Sequence, residues 1–284
     1  MAENCPEIFT RSNAVKNPEI LFLHGFPESS RKWAKFLEKC GKEGIGAVAM
    51  DLPGFGQSDL LHGADYNVQA IAELVISKWR KLSSNPIYLV GHDWGGIVGW
   101  YIAAKLGHTM RGFTAIAAPY PKIFANLIER DSAQKLASKY INIFCSSTGA
   151  DFCTKRNFER MKFALTDPQN GISDDELEEL AVGWSNPARL DAMLQYYTTF
   201  FGSIKHWADE LLPISAPVQV IWAANDHALV PANILGLGDH LSKLTVEILP
   251  DASHWVDRSH FEEVSALIHS HFFEVRGLDA HAIS

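Results

Sequence analysis

Short apolar runs and helical patterns alternate along the first 120 residues of the chain. Four of the runs have the length of a strand and lack alternating polar residues, which predicts strands buried on both faces. They cover residues 19–23, 47–50, 87–90 and 113–117. Between the second and third run, Ile71, Val75 and Trp79 recur at helical spacing. This order predicts an α/β fold, a mostly parallel sheet with helices on both faces.

The alternation stops in the middle third of the chain. That block has helical patterns and many aromatic residues, and Ser173 with Glu176 forms the signature of a capping box at a helix start. Two strand patterns and a helical pattern follow it, at residues 217–222, 244–249 and 261–272. The sheet is therefore predicted to draw on both sides of the block. We expect a helical cap domain inserted into a core domain, with the cap at residues 121–212 and the core at residues 1–120 and 213–284.

The formal net charge of −8 narrows the classes of partner. It gives no basic surface for nucleic acid or an anionic membrane, so a small, uncharged or weakly polar molecule fits better. No apolar run is long enough to span a membrane, and the first residues lack a secretion signal. The four cysteines are irregularly spaced, and no metal-ligand motif occurs. We expect a cytoplasmic monomer or homodimer without disulfides, metal or another cofactor.

The sequence GHDWGG at residues 91–96 follows the third predicted strand and precedes a helix. It has the form of a nucleophile elbow, in which the central residue occupies a strained turn and flanking glycines allow close backbone approach. This predicts Asp93 as a nucleophile at a helix amino terminus, where main-chain N–H groups stabilise an anion. The alternative is that Asp93 only caps the helix, since aspartate is favoured at that position.

The segment HGFP at residues 24–27 directly follows the first predicted strand. An oxyanion hole beside such an elbow uses the main-chain N–H of the residue after the nucleophile and one from the loop after an earlier strand. Those residues are Trp94 and Phe26 here. The alternative is an ordinary turn, since glycine and proline commonly form one.

An acid and a histidine follow the two strands that come after the helical block. Asp226 follows the first of these strands and His254 the second. Nucleophile, acid and histidine then occur in the chain order expected of a triad built on such an elbow. Asp226 would hold the imidazole in its correct tautomer. Asp251 competes for the acid role, but its position in the loop just before His254 favours a turn residue.

Taken together, the motifs resemble the α/β-hydrolase fold and, within it, the soluble epoxide hydrolases, from about Glu19 to Phe272. The resemblance is carried by HGFPES at 24–29, DLPGFGQSD at 51–59, GHDWGG at 91–96 and HW at 254–255. In that family two cap tyrosines donate hydrogen bonds to the epoxide oxygen. The resemblance implies this role for Tyr140 and Tyr197. The alternative is that the two side chains only pack in the interior of the cap. Because Tyr196 is adjacent to Tyr197, which of the two rings faces the site stays open.

An aspartate nucleophile indicates a substrate with a leaving group on an sp³ carbon, because a carboxylate is a poor acyl acceptor. We therefore expect an epoxide hydrolase that opens a small-molecule epoxide through an alkyl ester on Asp93. Water activated by His254 and Asp226 would hydrolyse that ester. The residues expected to contact the substrate are Phe26, Trp94 and Tyr196.

Two other functions fit parts of this pattern. Haloalkane dehalogenases resemble the chain in fold and in Trp94, whose indole N–H could hold a halide. That family usually has asparagine at the position of Phe26, and it lacks the tyrosine pair. A ligand receptor without catalysis is the second alternative, since fold alone does not imply function. The intact set of nucleophile, acid, base and donors weighs against a receptor.

Overall fold

The computed structural model describes residues 6–61, 66–166 and 170–281. Its strands are β1 Thr10–Ser12, β2 Ile20–Leu23, β3 Ala47–Met50, β4 Tyr88–His92, β5 Gly112–Ile116, β6 Val218–Ala223 and β7 Leu244–Leu249. Within these residues they form a seven-stranded sheet in the order β1-β3-β2-β4-β5-β6-β7. β1 is antiparallel to β3, and the other neighbouring strands are parallel.

Helices connect the strands on both sides of the sheet. Those of the first part are α1 Ala34–Lys42, α2 Val68–Leu82 and α3 Trp94–Leu106. Between β5 and β6 lie α4 Pro121–Arg130, α5 Ser132–Ala137, α6 Lys139–Phe144, α7 Gly149–Leu165, α8 Asp174–Trp184 and α9 Pro187–Glu210. The last two are α10 Val256–Ser259 and α11 Phe261–His281. Helix α7 is kinked, because residues 155–158 depart from helical dihedral angles.

Two apolar clusters lie on the two faces of the sheet. Leu21 and Phe22, neighbours in β2, are both fully buried but belong to different clusters. Leu21 shares its cluster with Val98 of α3, whereas Phe22 shares its cluster with Phe36 of α1 and Ile268 of α11. Since successive side chains of a strand point to opposite faces, helices cover both faces of this sheet. The predicted α/β fold is therefore confirmed.

The elements α4 to α9 between β5 and β6 are all helices, and they lie where the sequence predicts a cap domain. The predicted capping box is half formed. The Ser173 side chain accepts a hydrogen bond from the Glu176 N–H at 3.2 Å, but the Glu176 carboxylate pairs with Arg258 of the core. A carboxylate at that position satisfies a buried guanidinium in place of the cap N–H. Among the described helices, none is long and apolar enough to cross a membrane.

Candidate active site

Asp93 lies in a sharp turn between β4 and α3. Its φ of 49° and ψ of −118° are strained for any residue with a side chain. A Cβ on Gly91 would lie 2.4 Å from the carbonyl oxygen of Gly95, and one on Gly95 would lie 2.3 Å from that of Leu23. Both glycines are therefore required. The Asp93 side chain makes no capping hydrogen bond, so the helix-cap interpretation does not describe this turn.

Main-chain N–H groups hold the Asp93 carboxylate. The Phe26 N–H donates to its Oδ1 at 2.8 Å, and the Trp94 N–H faces the carboxylate and helps to lower its pKa. Gly25 makes this approach possible, because a Cβ there would lie 2.4 Å from Oδ1. The two N–H groups converge on one carboxylate, which is the geometry of an oxyanion hole.

His254 joins the two carboxylates at the carboxyl edge of the sheet. Its Nδ1 lies 2.7 Å from Asp226 Oδ2, and its Nε2 lies 3.6 Å from Asp93 Oδ2. The N–H groups of Ala228 and Leu229 donate to Asp226 Oδ1 at 2.7 and 3.1 Å, which orients that carboxylate. Asp226 therefore fixes the imidazole with Nδ1 as the donor and turns Nε2 toward Asp93.

Asp251, the alternative acid, is placed elsewhere. It is exposed in the turn after β7, and His254 pairs with Asp226 instead. A carboxylate that is three residues before the histidine in one turn points to solvent, whereas the end of β6 brings Asp226 under the imidazole.

The charges of Asp93 and His254 shift each other's pKa. Burial alone lowers the pKa of His254, but the Asp226 and Asp93 carboxylates outweigh burial and raise it to about 10. Burial alone raises the pKa of Asp93, but the hydrogen bond and charge of His254 hold it below its usual range. The resting site therefore contains an imidazolium between two carboxylates near neutral pH.

Tyr140 and Tyr197 face the same site from α6 and α9. Their ring centroids are 6.3 Å apart. Tyr197 also packs edge-on against Phe26 and Trp94, at 5.3 and 5.0 Å between ring centroids. Burial raises the pKa of both phenols, and the negative charge of Asp93 raises it further. Both hydroxyls therefore stay protonated and available as donors.

Tyr196 is turned the other way. Its hydroxyl donates to the carbonyl oxygen of Pro53 at 2.7 Å, and its ring packs against Phe55, Tyr66 and Trp94. Since adjacent residues of a helix point in different directions, the contacts of Tyr197 with the site leave Tyr196 behind the Trp94 ring. Of the two tyrosines, the structure brings Tyr197 to Asp93 and gives Tyr196 a packing position.

The sequence and structure match known proteins over nearly the whole chain. The family model described as alpha/beta hydrolase fold matches residues 18–256. The chain belongs to this family. Epoxide hydrolase 3 of Xenopus tropicalis is 30% identical over 270 residues, which are 92% of this chain and 72% of that protein. Epoxide hydrolase 4 of Homo sapiens is 28% identical over 264 residues, 88% of this chain and 71% of that protein.

Solved structures of epoxide hydrolases also resemble this chain. A mutant of an epoxide hydrolase from Bacillus megaterium superposes on this hydrolase with a TM-score of 0.84 at 25% identity, and the match covers 95% of this chain and 98% of that one. The same bacterial enzyme bound to an inhibitor gives a TM-score of 0.83 at 26% identity, over 95% and 98% of the two chains. This hydrolase is therefore similar to epoxide hydrolases in both sequence and fold.

The structure also reveals polar residues of this hydrolase that the sequence patterns did not single out. The side chains of Glu28, Lys32, His92 and Asp257 are buried, and His92 contacts the main chain of His254. Glu28 lies in the motif HGFPES and His92 in the motif GHDWGG, but nothing in the sequence shows that Lys32 and Asp257 contact these two residues. Lys32 follows Ser29, Ser30 and Arg31 in a polar stretch, so no sequence pattern indicates that its side chain is buried. In the described residues, no cluster of histidine, cysteine or carboxylate side chains has a metal-binding arrangement.

Proposed function

We propose that this hydrolase opens epoxides to vicinal diols through an alkyl ester on Asp93. The observation that carries the proposal is the different surroundings of the two Asp93 oxygens. Oδ1 accepts the Phe26 N–H, whereas Oδ2 faces His254. A carboxylate held in this way can attack an sp³ carbon, and the phenols of Tyr140 and Tyr197 supply donors for an epoxide oxygen. The helices of residues 121–212 act as a cap domain that carries these donors over the core.

In the first step, Asp93 Oδ2 forms a bond to an epoxide carbon while that carbon's bond to the epoxide oxygen breaks. The negative charge that develops on the oxygen is stabilised by the Tyr140 and Tyr197 hydroxyls, one of which gives up its proton. Asp93 needs no base for this attack, because it is already ionised at neutral pH. The product is a neutral ester whose carbonyl oxygen still accepts the Phe26 and Trp94 N–H groups.

Ester formation also changes His254. The negative charge of Asp93 is one of the groups that raise the His254 pKa, and esterification removes it. The pKa of His254 therefore falls, and the imidazole can lose its proton to the tyrosinate or to solvent and become a base. The alkylation step thus converts His254 from a cation into the group that the next step needs.

In the second step, the His254 Nε2 takes a proton from a water molecule, whose oxygen attacks the ester carbon of Asp93. Asp226 stabilises the resulting imidazolium. The negative charge moves to the carbonyl oxygen, where the Phe26 and Trp94 N–H groups stabilise it. Collapse of this intermediate breaks the ester bond, and the departing diol oxygen receives the proton of His254. The Asp93 carboxylic acid that remains passes its proton to His254, which restores the carboxylate and the imidazolium.

The His254→Gln variant separates the two steps, because His254 is needed to hydrolyse the ester but not to form it. Mixed with an aryl epoxide, this variant should gain the mass of one substrate molecule. Peptide mapping should locate the added mass on the segment that contains Asp93. Asp93→Asn should form no adduct and no diol. The control is His206→Gln, which removes an exposed histidine of α9 and should keep normal turnover.

The alternatives give different results in the same experiment. A haloalkane dehalogenase would form the adduct with alkyl halides and not with epoxides. A receptor would bind reversibly and never gain mass. Diol production by wild-type protein without any adduct on Asp93 in His254→Gln would rule out the covalent route and indicate direct attack by water on the epoxide.

A further inference from the structure

A cluster of charged side chains is buried behind the catalytic histidine. The side chains of Glu28, Lys32, His92 and Asp257 are each 0% exposed. Lys32 Nζ lies 2.6 Å from Glu28 Oε2, 3.0 Å from Asp257 Oδ2 and 2.8 Å from His92 Nδ1. Lys32 Nζ makes hydrogen bonds to Glu28 Oε2 and His92 Nδ1, whereas its contact with Asp257 Oδ2 is an ion pair.

These contacts determine where the proton of His92 lies. Lys32 can only donate, so the Nδ1 that it faces must be an unprotonated acceptor. The other ring nitrogen, Nε2, lies 2.9 Å from the main-chain carbonyl oxygen of His254, which can only accept. Nε2 must therefore carry the proton. Burial and the positive charge of Lys32 lower the pKa of His92, which agrees with a neutral ring.

We propose that Lys32 holds His92 in its neutral Nε2–H tautomer, and that His92 thereby positions the main chain of His254. Neither residue touches the reacting atoms, so both are positioning residues. The inference rests on the proposed role of His254 in ester hydrolysis. Because His92 Nε2 anchors the turn that carries the His254 imidazole, loss of this hydrogen bond affects hydrolysis of the ester rather than its formation.

The tautomer can be measured on the wild-type protein. Nitrogen NMR of histidine-labelled protein distinguishes Nδ1 from Nε2 protonation, and the His92→Gln spectrum identifies the signals of His92. We expect an unprotonated Nδ1 and a protonated Nε2 at neutral pH. In Lys32→Met, His92 Nδ1 should become protonated, because the carboxylates of Glu28 and Asp257 then face the ring without the lysine. A protonated Nδ1 in wild type, or an unchanged spectrum in Lys32→Met, would overturn the proposal.

Kinetics test the positioning of His254. In His92→Leu, the rate of ester hydrolysis should fall about tenfold, the effect of losing one hydrogen bond, while the rate of ester formation stays unchanged. His92→Gln keeps an amide donor toward the His254 carbonyl oxygen and should recover most of the hydrolysis rate. Equal rates in the leucine and glutamine variants would show that the hydrogen bond does not position His254.

A matched control removes another buried histidine. His271 lies in α11 and bonds to the Tyr88 hydroxyl, away from the catalytic groups. His271→Leu should lower stability without changing the ratio of the two rates. A similar change of that ratio in His271→Leu would make the effect of His92→Leu a general structural one. If wild-type protein forms no ester at all, the proposed function fails, whereas the NMR result on His92 and Lys32 stands on its own.

Discussion

In the proposed mechanism, the two oxygens of the Asp93 carboxylate have separate tasks because their neighbours differ. Oδ1 accepts the Phe26 main-chain N–H, which would remain in place as the proposed ester forms, and Oδ2 lies 3.6 Å from His254 Nε2. Such donors cost no reorganisation during the reaction, which is why a preformed oxyanion hole is effective. The close fit around Oδ1 depends on the absence of a side chain at Gly25.

Gly25→Ala should fold but form the ester at least about a hundredfold more slowly, because its Cβ would push the Asp93 carboxylate out of position. Single-turnover kinetics with an epoxide measures this rate. Gly202→Ala in α9 is the control, since a Cβ there meets nothing within 4 Å. It should keep full activity and gain up to about 1 kcal/mol of stability from the better helix propensity of alanine. A wild-type rate in Gly25→Ala would contradict this account of the site.

The two phenols should each contribute to epoxide opening. Tyr140→Phe and Tyr197→Phe should each slow ester formation, and the double variant should lose on the order of a hundredfold or more, the usual contribution of a general acid. Rapid-quench measurement of the ester gives these rates. Tyr196→Phe should leave ester formation unchanged, because its hydroxyl bonds to Pro53 instead. If Tyr196→Phe slows ester formation as much as Tyr197→Phe does, the assignment of the two rings is wrong.

At the scale of elements, α8 is bound to the core at three points. Arg258 pairs with Glu176 at its first turn, Arg31 pairs with Glu179, and the Trp184 indole N–H donates to the Pro27 carbonyl oxygen at 2.9 Å. The Arg258 and Glu176 side chains are only 7% and 11% exposed, whereas those of Arg31 and Glu179 are 32% and 43% exposed. The first pair should therefore dominate the docking of α8.

Glu176→Gln and Glu179→Gln compare these pairs on one helix with the same chemical change. Glu176→Gln should lower the free energy of unfolding by about 2 kcal/mol, because it leaves a buried guanidinium short of a charged acceptor. Glu179→Gln should cost less than about 1 kcal/mol, as is typical of an exposed pair screened by solvent. Urea denaturation measures both values. Equal losses would mean that burial does not set the strength of these contacts.

For the whole molecule, the charge of His254 links stability to pH. Its pKa is about 10 in the folded state against an ordinary value of 6.5. The stabilisation that this raised pKa contributes is fully present below pH 6.5 and is lost as the pH rises to about 10.

The free energy of unfolding of wild-type protein should therefore fall toward that of His254→Gln across this range. The slope should be at most about 1.4 kcal/mol per pH unit, the limit for one proton. Urea denaturation of the two proteins at several pH values gives the difference, in which other titrating groups cancel. A difference that stays constant from pH 6.5 to 10 would show that the His254 pKa is not raised in the folded state.

Much of the fold follows from local patterns in the sequence. Continuous apolar runs predict buried strands. The predicted runs at 19–23 and 87–90 differ from β2 and β4 by no more than two residues at either end. The glycines around Asp93 also form a local pattern, because a tight turn needs small residues near one another in the chain. The residues predicted as nucleophile, acid and histidine are recognisable because each follows a strand of the sheet: Asp93 follows β4, Asp226 follows β6 and His254 follows β7.

The tertiary structure alone decided the contacts between residues far apart in the chain. Glu176 fits a capping box locally, yet it pairs with Arg258, because a buried guanidinium is a stronger partner than a solvated N–H. Tyr197 rather than Tyr196 faces Asp93 because the docking of α9 sets which side of the helix meets the site. Lys32, His92 and Asp257 share no local pattern, and only the packing of three separate segments removes them from water and brings their side chains together.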